Sequence, residues 1–595
     1  MNNELISRLK YALIPAVILA VFAVYPQISQ WAAQGENYQG AYFVANYDEV
    51  AYSAYVNAIA EGKPRKYDPF VAKTEEHESI YSIQFVPAYL IAVPARALGV
   101  STSTAFIVLI LLIAAASGFA VFFLLSELTD DPRLAAAGTL AVLCLGCAVA
   151  YQGELRSMID GRILIDYFPF MRRYQPGVGF PAFFLFLIFT LRSVRATSLR
   201  VCAAYAAAAG SVFAVLIFTY FYLWTAAAGW LACLAVTVAF ADRKRLKNTL
   251  AAAGVILAFG VAAGIPYWSM LSNRAPNIDA VQLLTVSHAP YLMSPIAVIG
   301  IMLFIAFMFL HLRNAGDTDT PTIFGMSFAL LPAVLLNQQI LTGHSLQPVH
   351  YEIFIANYLL LAGIVLLVHR LMRTIAPGHT NNAKILVTIG TFAVIWGFVE
   401  TTGSVRRGAV TAEIRDSSVN AIRYVAGGSE THHTPVVHAN NFVTADYVLT
   451  ESTARPLWNP HTSSAGGVSI DENRRLFYQY LYYSGFTEKD LADAIQRGNF
   501  EVTAAIFGSE RALPELGTGS APITPGEINS EAARYKAYSE AFNTAEAANP
   551  GIDHLIVPAE AEPSFANVDR WYDRGAPRDF GMFRVYHLTP KHARQ

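Results

Sequence analysis

"TAFIVLILLIAAASGFAVFFLLSELTDDPRLAAAGTLAVLCLGCAVA" runs from Thr104 to Ala150. Thr104–Leu125 holds no charged residue, and an apolar run of about 20 residues is long enough to cross a bilayer as a helix. The turn "ELTDDPR" follows, and a second apolar run, Leu134–Val149, leads back. Two crossings joined by a short charged turn make this a polytopic membrane protein.

The rest of the chain repeats the pattern. By hydropathy, further crossings fall at Tyr11–Ile28, Val178–Leu191, Val201–Phe218, Leu223–Phe240, Thr249–Trp268, Ser294–Leu312, Ile323–Leu336, Ile353–His369 and Ile385–Val399, eleven in all. The bulk numbers agree: 595 residues, 54% hydrophobic, only 14% charged, mean hydropathy +0.37. Soluble domains carry nearer a quarter charged residues. The net charge of -2 gives no reason to expect a nucleic-acid partner. Cys144, Cys147, Cys202 and Cys233 all fall in apolar runs, so the C-x-x-C at Cys144 and Cys147 reads as packing. "MNNELISRLKYALIPAVILAVFAVYPQI" has basic residues before its apolar run but no small-residue cleavage site, so a retained first helix is expected.

Loop charge sets the orientation. "LRSVRATSLR", "ADRKRLK" and "HRLMRTIAPGHTNNAK" are the basic connectors and belong in the cytoplasm. Residues 29–103 then lie outside, provided that "IQFVPAYLIAVPARALGV", with its two prolines, lies along the interface as an amphipathic helix. Eleven crossings place the N-terminus inside and everything after Glu400 outside. From Thr401 the composition changes. The runs "TPVVHA", "AAIFG", "HLIVP" and "FRVYHL" read as strands and alternate with helical stretches such as "ENRRLFYQYLYYSGF". The division expected is therefore a transmembrane domain over 1–400 and a soluble α/β domain of mainly parallel sheet over 401–595. That domain contains no G-x-G-x-x-G or P-loop.

Under this threading the polar residues collect on the outer side. In "YFVANYDEVAYSAYVNAIAEGK", Tyr42 to Lys63, Asp48 and Glu49 open a helix whose Tyr52, Tyr55, Val56 and Ile59 recur at helical spacing. Acids in a first turn complement the helix dipole. Beside an apolar interface, the same acids suit a general base or a metal ligand. "YQGELRSMIDGRILIDYFPFMRRYQPGVGF" holds Arg156, Arg162, Arg172 and Arg173 against the positive-inside bias. Arg156 and Arg162 have Glu154, Asp160 and Asp166 as neighbours to pair with. Arg172 and Arg173, followed by Tyr174 and Gln175, suit a phosphate, which a guanidinium grips in bidentate fashion. "NQQILTGHSLQPVHYE" places Asn337, Gln338, Gln339, His344, Gln347, His350 and Glu352 between two apolar helices. At membrane depth such groups line a cavity or a site; the amides suit sugar hydroxyls and the histidines a phosphate. Asn273, Arg274 and His288 are weaker candidates. No H-E-x-x-H, G-x-S-x-G or clustered metal-ligand spacing occurs.

With Tyr47-Asp48-Glu49 in the first outer loop, the aromatic helix behind it, "SIQFVPAYLIAVPARALG" before the second span and a soluble C-terminal domain, the chain resembles the GT-C membrane glycosyltransferases. The resemblance implies an inverting transfer from a polyprenyl-phosphate-linked sugar to a hydroxyl of a glycan or lipid acceptor, at the outer face of a bacterial inner membrane. Asp48 matches the family's base. Glu49 would orient the acceptor or hold a divalent cation, magnesium or manganese, which some members need. Arg172, Arg173 and His344, with His350 behind them, would meet the leaving phosphate. Tyr52, Tyr174, Gln175, Asn337, Gln338, Gln339, Gln347 and Glu352 would contact sugar or acceptor. Besides donor, acceptor and membrane lipids, no partner is implied. Two other readings stay open: a transporter or flippase of lipid-linked glycans, and a polymerase or ligase of surface polysaccharide. No internal repeat supports the first, and the second would rely on arginines and histidines rather than on an acidic pair.

Overall fold

A computed structural model of the chain describes residues 3–163, 167–291, 294–313, 319–375, 381–427, 434–464, 467–513 and 521–591. Asp166, named above as a neighbour of the loop arginines, lies outside them. All eleven apolar segments form helices. Among the described residues nine helices are long and apolar enough to cross a membrane. The other two expected crossings are short: Phe180–Val194 has 15 residues and Thr320–Leu335 has 16. At 1.5 Å per residue they rise roughly 22–24 Å, less than a bilayer core of about 30 Å. Both are mostly buried among other helices, so of the eleven apolar segments nine form helices of spanning length among the described residues and two form shorter ones.

The proline-containing stretch forms the 13-residue helix Val86–Leu98, too short to span. Ala88, Ile91, Ala92 and Ala95 are buried on one face while Leu90, Val93 and Leu98 are exposed on the other. The final apolar helix runs unbroken from Asn381 to Gly427. It passes through position 400, so the bundle and the C-terminal region share one rod of roughly 70 Å.

The C-terminal sheet has six strands. Val436–Ala439 lies second in the order, pairing in parallel with the edge strand Arg455–Pro456 on one side and His554–Pro558 on the other. The last strand, Phe583–Pro590, then runs antiparallel to His554–Pro558, Tyr572–Arg574 and Arg578–Phe580. The sheet is therefore mixed rather than mainly parallel, because the chain returns at its end by hairpins instead of further helical crossovers. "AAIFG" lies in the helix Phe500–Phe507, capped by the Asn499 side chain accepting from the Val502 amide at 2.9 Å. A short buried apolar run has no periodicity that separates strand from helix.

Two large cores hold the molecule. One fills the helix bundle. The other joins Tyr42, Val50, Tyr52 and Val56, between the first and second spanning helices, to Val419, Ile422, Tyr447 and Trp458 of the C-terminal region. The helix Asp48–Ala60 is thus an internal element, clamped between bundle and C-terminal domain; Asn57 Nδ2 donates to the carbonyls of Leu449 and Ser452, both at 3.1 Å. The helix Thr102–Thr129 spans the bundle lengthwise. Its Ser103 end meets Tyr447 at 2.8 Å, while at its far end Glu127 and Asp130 pair with Arg192 and Arg8 of the basic segments. The basic connectors and the C-terminal domain therefore sit at opposite ends of a helix roughly 42 Å long.

Candidate active site

Between the bundle, the loop after the first helix and the C-terminal domain lies a cavity of about 900 Å³. Its wall includes Asp48 and Tyr52 from the acid-bearing helix, Arg172 and Gln175 from the second loop, and Gln338, His344, Gln347 and His350 from the third. Three segments far apart in sequence converge there.

Asp48 is the first residue of its helix. Asn46 Oδ1 accepts from the Asp48 amide at 3.2 Å, which leaves the Asp48 carboxylate to face the cavity, 47% exposed. Its Oδ2 lies 2.6 Å from a guanidinium nitrogen of Arg172, whose side chain is only 4% exposed. Arg172 is fixed on every side: Nε donates to the Gln175 carbonyl, another nitrogen reaches the Tyr220 hydroxyl at 3.4 Å, and the rings of Phe354 and Tyr52 lie 4.7 and 5.5 Å away. The turn behind it needs Gly177, because a Cβ there would come within 2.6 Å of the Arg172 carbonyl oxygen. A half-exposed carboxylate held by a rigid buried cation can receive a hydrogen bond from a hydroxyl without itself moving.

Glu49 and Arg173 behave differently from their neighbours. Their side chains are 1% and 3% exposed, and neither lines the cavity. Glu49 Oε1 accepts from the Arg173 amide at 2.7 Å, and Oε2 accepts from the Arg173 guanidinium at 2.8 Å and from the Ala45 amide at 3.2 Å. Arg173 also donates to the carbonyls of Phe106 and Phe43, at 2.8 and 3.0 Å. This closed ion pair occupies both Glu49 oxygens, against the expectation that Glu49 orients the acceptor or holds a divalent cation, and it keeps Arg173 off the cavity wall, against the expectation of a phosphate ligand. With both Glu49 oxygens occupied and Asp48 Oδ2 on Arg172, the two carboxylates do not fit a shared divalent cation. Among the described residues, no group of three His, Cys, Asp or Glu side chains is placed to hold a metal.

The remaining candidates divide in the same way. Tyr52 stacks on Tyr174 at 4.7 Å, so Tyr52 faces the cavity while Tyr174 is fully buried behind it. Gln175 Nε2 donates to Gln84 Oε1 at 2.7 Å and to the Thr219 carbonyl at 2.9 Å. Gln338 and Gln347 line the wall while donating to the carbonyls of His344 and Gln282, both at 2.9 Å. His344 is exposed, with Nδ1 2.8 Å from the Thr342 carbonyl. His350 is packed against Tyr222 and Phe354, ring centres 4.9 and 5.1 Å away. Asn337, Gln339 and Glu352 do not line the cavity. Asn337 ties to the Tyr291 and Ala333 backbone, Gln339 to the Ala289 carbonyl at 3.0 Å, and Glu352 accepts from Ser294 at 2.5 Å. Of the weaker candidates, Arg274 reaches the wall but is paired with Asp279 at 2.7 Å, and Asn273 and His288 hold loops. Arg156 lies 3.7 Å from Asp160, whereas Glu154 is taken by Arg407.

One residue on the wall, with its partner behind it, was missed in the sequence. His461, in the turn Pro460–Ser464 of the C-terminal domain, lines the cavity with its ring stacked 4.3 Å from that of Tyr47. Its Nδ1 lies 2.7 Å from Asp446 Oδ1, both side chains are 3% exposed, and its Nε2 is buried without a hydrogen-bond partner. Burial alone would push this histidine down. The carboxylate of Asp446, aided by the charge of Asp48, outweighs burial and the opposing Arg415, so His461 titrates above the ordinary histidine range. Asp446 and His461 stand fifteen residues apart, one in the helix Phe442–Glu451 and the other in the turn after it, so no local spacing announces them.

No protein-family model matches the sequence, and a search of curated proteins finds no match. Solved structures give a likeness of overall shape. The Archaeoglobus fulgidus oligosaccharyltransferase tethered to an acceptor peptide aligns over 97% of this chain and 74% of its own, at 10% identity and a TM-score of 0.41. The same protein with Zn and sulfate aligns over 96% and 72%, at 13% identity and 0.40. ArnT from Cupriavidus metallidurans bound to undecaprenyl phosphate aligns over 95% and 97%, at 11% identity and 0.47. These are GT-C membrane glycosyltransferases. At such identities and scores the likeness carries no argument about activity or substrate.

Proposed function

We propose that the chain is an inverting glycosyltransferase that moves a sugar from a polyprenyl-phosphate donor to a hydroxyl of a glycan or lipid acceptor, with Asp48 as general base. The observation behind this reading is Asp48 itself: half exposed on the cavity wall and held by a buried arginine. The acceptor O–H gives its proton to the Asp48 carboxylate while its oxygen attacks the anomeric carbon. The bond from that carbon to the phosphate oxygen breaks on the opposite face, and the electron pair leaves with the phosphate. Arg172 holds the carboxylate in place, while Tyr47, Tyr52 and Tyr222 give the wall its aromatic surface and Gln338 and Gln347 offer amides. Trp268 and Val334 belong to the same wall yet are 68% and 42% exposed on the bundle's flank, which supports a lipid-side entry for an isoprenoid tail. The site faces the outer side of a bacterial cytoplasmic membrane, with the C-terminal domain on that side.

The test is release of undecaprenyl phosphate by the purified protein from undecaprenyl-phosphate-linked glucose, mannose or galactose, offered with a panel of methyl glycosides and lipid acceptors in Mg²⁺ and in Mn²⁺. Release with inversion at the anomeric carbon is expected. Silence across the whole panel removes the proposal.

A further inference from the structure

We propose that the protein binds an anionic phospholipid in the leaflet on the side of its C-terminal domain, with the lipid phosphate on Arg406 and the acyl chains against the helix Gly153–Asp160. None of these residues lines the cavity, and the inference does not depend on the glycosyl-transfer reading.

The long helix Asn381–Gly427 sets the depth. Lys384 and Arg406 are separated by about 33 Å along its axis, close to the roughly 30 Å of a bilayer core. Between them the only charged residue is Glu400, which is fully buried, while Phe392, Ile395 and Phe398 are exposed. The first helix, Asn3–Gln34, gives the same measure: no charge falls between Lys10 and Trp31, about 32 Å further on. The two helices lie side by side, with the rings of Tyr25 and Phe398 6.4 Å apart. They run in the same direction, because beyond that contact Asp416 accepts from the amides of Gln39 and Gly40 at 3.0 and 3.1 Å. Trp31 is six residues past Tyr25 and Arg406 eight past Phe398, so an exposed tryptophan and an exposed arginine arrive at one level, that of the headgroups.

Arg406 is the cation that the protein leaves unmatched at that level. Its side chain is 77% exposed, and its one carboxylate among the described residues, Glu154 at 3.9 Å, is buried and already joined to Arg407. Glu154 belongs to the helix Gly153–Asp160, which packs closely on the long helix. Glu400 accepts from the Glu154 amide at 3.0 Å, and Gly403 leaves no room for a Cβ beside the Glu154 carboxyl. The short helix is thereby held at the depth of Arg406, yet its Met158 and Ile159 are 64% and 62% exposed. Large apolar side chains turned outward at headgroup depth meet acyl chains, as in a helix lying along an interface. The guanidinium beside them suits a phosphate, which it grips in bidentate fashion. An arginine on this side runs against the positive-inside bias, and a headgroup with net negative charge supplies the partner that the protein does not. One arginine near the surface favours an anionic headgroup over a zwitterionic one by about fivefold.

The test labels Met158→Cys in the full chain with a nitrobenzoxadiazole fluorophore; the four native cysteines are buried. The protein is placed in phosphatidylcholine vesicles that hold an equal small fraction of nitroxide-bearing phosphatidylglycerol or nitroxide-bearing phosphatidylcholine, the nitroxide near the acyl carbonyl. Both lipids should quench the label, phosphatidylglycerol about fivefold more effectively. Adding Arg406→Gln should bring the two lipids to equality and leave quenching by phosphatidylcholine unchanged, whereas Arg406→Lys should keep a preference for phosphatidylglycerol. A label that neither lipid quenches overturns the inference. So does equal quenching by the two lipids before Arg406 is changed, or a preference that persists undiminished in Arg406→Gln.

Discussion

Asp48 and Glu49 are neighbours in sequence, yet their surroundings assign them different work. Glu49 is sealed against Arg173 with all its oxygens occupied, whereas Asp48 keeps half its surface in the cavity. Removing one partner of a buried ion pair strands the other charge, which costs about 3–5 kcal/mol. Glu49→Gln and Arg173→Met should therefore each lower folding stability by about that amount, read from unfolding of the purified protein, whereas replacing both with apolar residues should cost less than the sum. Asp48→Asn should cost less than the Glu49 change but a measurable amount, about 1–2 kcal/mol, because Asn keeps an oxygen for Arg172 while the buried guanidinium loses its charged partner. The sequence marks the pair as special but cannot say which acid faces outward. At a helix start two adjacent side chains point about 100° apart, and only the packing of the Arg173 segment settles which one is enclosed.

At the scale of elements, what could be read was what periodicity and length encode. Eleven apolar runs became helices because no other structure satisfies the backbone away from water. The shortness of Phe180–Val194 and Thr320–Leu335 was written in their lengths, but hydropathy alone does not penalise a short crossing. The third polar segment was legible as a group and not residue by residue. Gln338 and Gln347 reach the cavity, while Asn337 and Gln339 fasten the loop to the chain around Tyr291 and Ala289. An amide costs the same to bury in either role, so density of amides signals a structured loop as readily as a binding wall. "AAIFG" became a helix because Asn499 supplies a cap that a five-residue apolar run does not reveal. His461 and Asp446 lay beyond reach altogether: their meeting depends on how the turn at Pro460–Ser464 packs on the helix Phe442–Glu451.

The whole molecule sets the basic connectors at one end of the bundle and the cavity at the other, so sidedness and function are tied together. All four native cysteines are buried, so single surface cysteines can report orientation. Asp471→Cys, at a side chain 95% exposed on the C-terminal domain, should react with a membrane-impermeant maleimide in intact cells with the outer membrane opened. Lys244→Cys, on an exposed basic segment, should react only after the inner membrane is breached; the reverse pattern would put the cavity on the cytoplasmic side. The C-terminal domain adds more than a cover, because it shares a core with the helix that carries Asp48 and closes the cavity with His461. The account as a whole stands on the Asp48 carboxylate as the group that activates the acceptor. The most direct measurement compares wild type and Asp48→Asn, both shown to be folded at the assay temperature, for release of undecaprenyl phosphate from an undecaprenyl-phosphate sugar in the presence of acceptor. The account predicts transfer by the wild type and a loss of at least about 10²-fold in kcat for the variant; equal rates from the two proteins would contradict it.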